Sequence, residues 1–208
     1  MIGMVIATDQ EAAPFLTRST WQRIANSPFQ IYSGYWGTEN FPVALIVSGI
    51  GKVAAAVATH ILICKYGVTQ IFNLGVCGAL KDSKDFEVGA IFRINTAIEG
   101  DRKEGARAVD FEKCASGPFN HLPCARLVTC DRPVFNTRKK MTLSDLGDLV
   151  DMEGAAIVRV ANMYSLPCSL VKGITDGAKE GDRQVLIQNI AMVSRKLLML
   201  FKSLQKDS

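Results

Sequence analysis

The chain has 208 residues, 48% of them hydrophobic and 21% charged, and a formal net charge of +4. That is the make-up of an ordinary globular protein, long enough to bury a sizeable core as one domain, and without a linker to divide it. Lysine and arginine are scattered, which argues against a nucleic-acid face or a membrane-binding stripe; the one short basic run, Arg138-Lys139-Lys140, reads as a solvated face.

No apolar run approaches the ~20 residues of a membrane span. The start, Met1-Ile-Gly-Met-Val-Ile-Ala-Thr, lacks a basic leader and is followed at once by Asp9 and Glu11. Six cysteines stand at 64, 77, 114, 124, 130 and 168 with no Cys-x-x-Cys pairing and only two histidines. Neither a zinc site nor any other metal or cofactor is expected, and the compartment reads as reducing and cytoplasmic.

In chain order, residues 2–8 form a first apolar strand, ending at Asp9-Gln10-Glu11 before a short helix over 12–16. Residues 29–35 and 42–48 read as a hairpin with a turn-rich connection at 35–40. Ser48-Gly49-Ile50-Gly51-Lys52 then opens a helix over 53–66. A glycine turn between strand and helix leaves backbone N–H groups free to face a ligand. The strand over 67–75 runs into a second glycine-rich end, Gly75-Val76-Cys77-Gly78.

A strand is expected over 88–98, followed by a polar, irregular stretch at 99–123 that reads as a functional or mobile loop. Residues 124–130 form a strand broken by Asp131-Arg132-Pro133, and 137–146 a short helix. At 149–178, Glu153 stands where a short strand meets a helix, whose apolar face is formed by Ile157, Val160, Ala161 and Tyr164. A buried strand follows and ends at Asp176. Residues 185–204 close the chain as an amphipathic helix with Leu186, Ile190, Val193, Leu197 and Phe201 on one side. Strands alternating with helices predict a single-domain α/β fold with a mixed central sheet covered on both faces, a three-layer α/β/α arrangement. Ligands of such sheets bind beyond the carboxyl ends of strands, which singles out Glu11, Glu153 and Asp176.

Four blocks resemble the nucleoside phosphorylase and nucleosidase family: Ala7-Thr-Asp-Gln-Glu11-Ala, Ser48-Gly-Ile-Gly-Lys-Val-Ala-Ala-Ala56, Asn73-Leu-Gly-Val-Cys-Gly-Ala-Leu80, and Val150-Asp-Met-Glu153-Gly-Ala-Ala-Ile with Ile174-Thr-Asp176. Within it the chain looks most like the methylthioadenosine/S-adenosylhomocysteine nucleosidases and the futalosine hydrolases. The resemblance implies a nucleoside phosphorylase-like fold and a small-molecule purine nucleoside as substrate. It also implies a homodimer. By position, Glu11 would orient or deprotonate the attacking water, Met152 and Glu153 would contact the ribose, and Asp176 would protonate N7 of the purine. Val76, Gly78 and Val134 fall in the blocks that line the base and sugar.

The chain departs from the family pattern where Val76 replaces a serine, where Asn73 replaces an arginine, and where Pro133 stands for a stacking aromatic, with Phe135 close by. Losing those cationic and hydroxyl donors favours water over phosphate as nucleophile. Phosphorolysis, and a nucleoside-binding protein without turnover, are the alternatives.

Overall fold

The structure, a computed structural model, describes residues 1–17, 21–36, 40–101, 112–177 and 183–203. Strand β5 (Gln70–Ala79) is where its sheet turns. Up to Asn73, β5 runs parallel to β1 (Ile2–Ile6) on one side, and as far as Gly78 it runs parallel to β10 (Cys168–Asp176) on the other. At its end Gly78 and Ala79 pair antiparallel with β9 (Leu149–Asp151). β10 also pairs antiparallel with β6 (Ile91–Glu99), β6 parallel with β8 (Cys124–Thr129), and β8 parallel with β9. These five strands close a ring. From it β1, β4 (Phe41–Val47), β3 (Gln30–Trp36) and β2 (Gln22–Ala25) extend as an open wing.

Five helices cover the sheet: α1 (Asp9–Leu16), α2 (Lys52–Tyr66), α3 (Thr137–Leu143), α4 (Gly154–Met163) and α5 (Arg183–Ser203). Ala55, Ala58 and Leu62 of α2 pack with Ala155, Ile157, Val158 and Ala161 of α4 against one face. Ala12 and Phe15 of α1 pack with Val193, Leu197 and Phe201 of α5 against the other, where Trp36 stacks on Phe201 at 4.9 Å between ring centroids. The three-layer α/β/α expectation therefore holds, and closure of the sheet into a ring is an addition to it.

Four local expectations are corrected. The buried side of α4 is Gly154, Ala155, Ile157, Val158 and Ala161, while Tyr164 is exposed and Val160 half-buried. Small residues let α4 sit close to the sheet: a Cβ on Gly154 would meet Leu127 at 2.4 Å. The 99–123 stretch carries order in its second half, since β7 (Glu112–Lys113) pairs with β6, and Phe119 is fully buried in a short 3₁₀ turn. Residues 102–111 of that stretch, and 37–39 of the expected hairpin turn, lie outside the described residues. β2, an exposed strand paired with β3, was not anticipated. The basic run divides: Arg138 and Lys139 are exposed, but Lys140 is 1% exposed.

All six cysteines are free thiols, and Cys77, Cys130 and Cys168 are buried. Among the described residues no helix is long and apolar enough to cross a membrane.

Candidate active site

The ends of β1, β5, β9 and β10 surround a cavity of about 620 Å³. Its wall includes Glu11, Val76, Gly78, Val134, Met152, Glu153 and Asp176, so all seven residues singled out from the sequence meet in one place.

Glu11 stands in the first turn of α1. Thr8 caps that helix: its hydroxyl accepts from the Glu11 N–H at 3.2 Å and donates to Glu11 Oε1 at 2.8 Å. Glu11 Oε2 accepts from the Val76 backbone N–H at 3.1 Å. Val76 thus serves the site through its main chain, which explains how an apolar side chain is tolerated there. Burial pushes the Glu11 carboxyl pKa up, against the Thr8 hydrogen bond, the Lys172 charge and the Val76 N–H, which pull it down.

Glu153 is 7% exposed at the junction of β9 and α4. Its Oε1 accepts from the Gly51 N–H at 2.8 Å. Gly51 has φ +102° before the first turn of α2, a conformation that disfavours a side chain. The glycine turn therefore presents this N–H to a carboxylate of the chain itself. Burial, then the neighbouring Asp151 charge, push Glu153 up to about 7, opposed by Lys172 and the Gly51 N–H.

Asp176 ends β10 where its pairing with β5 slips by one residue, and its Cα partner is Gly78. A Cβ on Gly78 would lie 2.8 Å from Asp176 Oδ2, so only glycine leaves the carboxylate its place. Val134 is buried against Leu80, Ile98, Val128 and Val150, and Pro133 and Phe135 line the cavity on either side of it.

Sequence reasoning missed four contributors. Asp151 accepts from Lys172 Nζ at 2.7 Å, from the Gly154 N–H at 2.8 Å and from the Thr129 hydroxyl at 2.6 Å. Lys172 is 1% exposed in the middle of β10. Its burial works to lower its pKa, but Asp151, Glu153 and Glu11 together hold it above the ordinary lysine value. Lys140 donates to Asp176 Oδ2 at 2.8 Å and to the Gly177 carbonyl. The first turns of α5 add Leu186, Ile187 and Ile190 to an apolar mouth with Ile50. The lysine inside the apolar run Cys168-Ser-Leu-Val-Lys172-Gly-Ile was a readable signal, because a buried strand carries a charge only with a partner. Among the described residues no group of three His, Cys, Asp or Glu side chains is arranged to hold a metal.

The family model described as Phosphorylase superfamily matches residues 1–205. The chain belongs to the phosphorylase superfamily. Among curated members it is 28% identical over 204 residues to a 5′-methylthioadenosine/S-adenosylhomocysteine nucleosidase of Shewanella denitrificans, covering 85% of this chain and 86% of that protein. It is 26% identical over 225 residues to one of Arabidopsis thaliana, covering 94% and 87%. Among solved structures, the futalosine hydrolase of Helicobacter pylori superposes with a TM-score of 0.88 at 19% identity, covering 100% of this chain and 97% of that one. This last likeness establishes the fold. Within the superfamily, this member ties the glycine turn of α2 to the β9–α4 junction by the hydrogen bond from Gly51 to Glu153, and the end of β5 to the first turn of α1 by that from Val76 to Glu11.

Proposed function

We propose that this chain, as a single domain, hydrolyses the N-glycosidic bond of a purine nucleoside with a modified 5′ position, releasing free base and sugar. The observation that carries the reading is the gathering of Glu11, Glu153 and Asp176 around one cavity. Breaking the bond leaves an oxocarbenium-like sugar and a purine that departs poorly as an anion. In this reading Asp176 protonates N7 as the C1′–N9 bond breaks. Glu11 takes the proton of the attacking water; its raised pKa makes it a stronger base than an exposed carboxylate. Glu153, beside Met152, accepts hydrogen bonds from the ribose hydroxyls, and the inner carboxylates stabilise positive charge on the sugar. Gly78, Val76 and Val134 wall the base and sugar. The nucleosidase names of the curated relatives support the same activity.

Water is favoured over phosphate by charge. Among the described residues, the inner wall sets Glu11, Asp151 and Glu153 around the Lys172 ammonium, which is already paired with Asp151 at 2.7 Å, so a dianion would meet carboxyl groups and a cation already engaged. Val76 has no side-chain donor, and Asn73 spends its amide N–H on the Val5 carbonyl at 2.9 Å. The test is base release in phosphate-free buffer with identification of the sugar. Free sugar at a phosphate-independent rate is expected. A sugar 1-phosphate, or strict dependence on phosphate, defeats the reading in favour of phosphorolysis; binding without base release defeats it in favour of a non-catalytic nucleoside-binding protein. The protein is further taken to act in the cytoplasm as a homodimer. Its six free thiols suit a reducing compartment, and the exposed Ile50, Val53 and Val57 suit an interface around α2.

A further inference from the structure

Asp176 has a buried cationic partner. In the structure its Oδ2 is paired with the Lys140 ammonium at 2.8 Å, and the two side chains are only 13% and 2% exposed. Lys140 comes from α3, the seven-residue helix after the Pro133–Phe135 wall, and its ammonium is also anchored on the Gly177 carbonyl. It is absent from the cavity wall, so it stands behind Asp176 and reaches the ligand only through it. The Thr175 hydroxyl lies 3.4 Å from Asp176 Oδ1. A surface lysine of a basic run would not be expected to order its whole stem to reach this carboxylate, given the rotamer entropy lost on burial.

We propose that Lys140 is the positioning residue and proton reservoir of Asp176. This rests on the reading of Asp176 as the group that protonates the base. As the C1′–N9 bond breaks, its electron pair stays on N9. Lys140 gives a proton to Asp176 Oδ2 along the hydrogen bond already formed, and Asp176 passes that one proton on to N7. The base leaves neutral, Asp176 is again a carboxylate, and Lys140 is briefly an amine until water re-protonates it. The water proton accepted by Glu11 goes back to solvent, so the cycle closes with no other reactant.

The experiment compares two leaving groups in the intact protein. One substrate is a purine nucleoside that the wild type turns over; the other is 4-nitrophenyl riboside, whose phenolate departs without a proton. Lys140→Met and the shorter Lys140→Gln should lower kcat on the purine nucleoside by about 10²-fold, the lower end of general acid–base effects, with KM moved far less. On 4-nitrophenyl riboside they should lose no more than about threefold, because loss of the relay leaves water attack intact. In the Asp176→Asn background, Lys140→Met should add almost nothing on the purine, since both substitutions remove one pathway. Equal losses on the two substrates, or losses that multiply in the double variant, would show a merely structural lysine and overturn the proposal. Thermal unfolding of each variant identifies one that fails to fold, and the Gln variant then decides. Failure of the wild type on every purine nucleoside tried and on 4-nitrophenyl riboside would instead strike at the nucleosidase reading itself.

Discussion

Lys172 Nζ lies 2.7 Å from Asp151 Oδ2, with both side chains at 2% exposure or less. The pair sits beneath the cavity between Glu11 and Glu153, and Gly75 makes room for it: a Cβ there would meet Glu11 Oε2 and Lys172 Nζ, both at 3.2 Å. Removing one partner of a buried pair strands the other's charge, at a cost of about 3–5 kcal/mol. Lys172→Met should therefore lower Tm by roughly 6–20 °C, at about 2–4 °C per kcal/mol for a chain of this size. Adding Asp151→Leu should recover much of that loss. A single variant within about 1 kcal/mol of wild type would mean that the pair carries little charge.

The roles of Glu11 and Asp176 should be separable from stability. Glu11→Gln and Asp176→Asn keep shape and should each cut turnover by ~10²–10⁴-fold. Steady-state assays beside urea unfolding check this. Should both variants keep more than about a tenth of wild-type kcat, neither residue has the general acid–base role assigned to it.

Gly78 offers a test of geometry rather than chemistry. Gly78→Ala adds a methyl 2.8 Å from Asp176 Oδ2 and 3.0 Å from Oδ1, so the carboxylate must move. A displacement of about 1 Å can cost ~10²-fold in rate, whereas overpacking costs typically ~1–3 kcal/mol in stability. The expected result is a folded protein with kcat down about a hundredfold. Full activity would show that Asp176 has freedom the packing does not suggest.

Glu153 should make stability and ligand binding respond to pH in opposite directions. Its carboxyl is raised from 4.5 to about 7 in the folded chain, so the folded state holds the proton more tightly than the unfolded one. That contribution is fully present below pH 4.5 and is lost as pH rises through about 7. Glu153→Gln does not titrate, so the unfolding free energy of the variant relative to wild type should climb between pH 5 and pH 8, by an amount on the order of 1–3 kcal/mol, and Tm should follow it. Acceptance of ribose hydroxyl hydrogen bonds needs the carboxylate and should strengthen over the same interval. A Tm difference independent of pH would count against the raised pKa. A 2′-deoxy substrate whose penalty simply adds to that of Glu153→Gln would take Glu153 off that hydroxyl.

Much of this site could be read before any coordinates, and the reason is physical. Asp176 is the last residue of an apolar strand, Glu11 and Glu153 come shortly after the ends of others, and a strand end fixes where the next side chains go. Lys140 could not be read that way. It lies on a seven-residue helix, too short for a clear apolar stripe, and which of Arg138, Lys139 and Lys140 turns inward depends on how α3 docks beside β10. The α4 face is hidden from periodicity because large residues dominate an apolar stripe, whereas close packing on Leu127 and Leu170 selects Gly154. Ring closure was equally hidden. It depends on β5 changing neighbours at Gly78, and no local pattern announces a strand that pairs with three others.

The mouth of the cavity bears on the 5′ substituent. The start of α5 is held over the site by two side-chain bonds, Asn189 Nδ2 to the Thr175 carbonyl at 2.8 Å and Gln10 Nε2 to the Ile187 carbonyl at 3.0 Å. This sets Leu186, Ile187 and Ile190 opposite Ile50, and Ile50 and Ile187 remain 61% and 50% exposed. Exposed isoleucines at a cavity rim leave apolar surface for a ligand to cover. Each methylene buried there should contribute up to about 0.8 kcal/mol, close to fourfold in kcat/KM. A series from a 5′-hydroxyl through 5′-methylthio to 5′-butylthio nucleosides should therefore rise stepwise. Ile190→Ser should flatten the rise, lowering kcat/KM on the butylthio compound by about tenfold while changing the 5′-hydroxyl compound by less than about twofold. Plain adenosine or inosine turning over faster than every 5′-modified compound would mean that the 5′ group points elsewhere, and that these isoleucines serve some other contact.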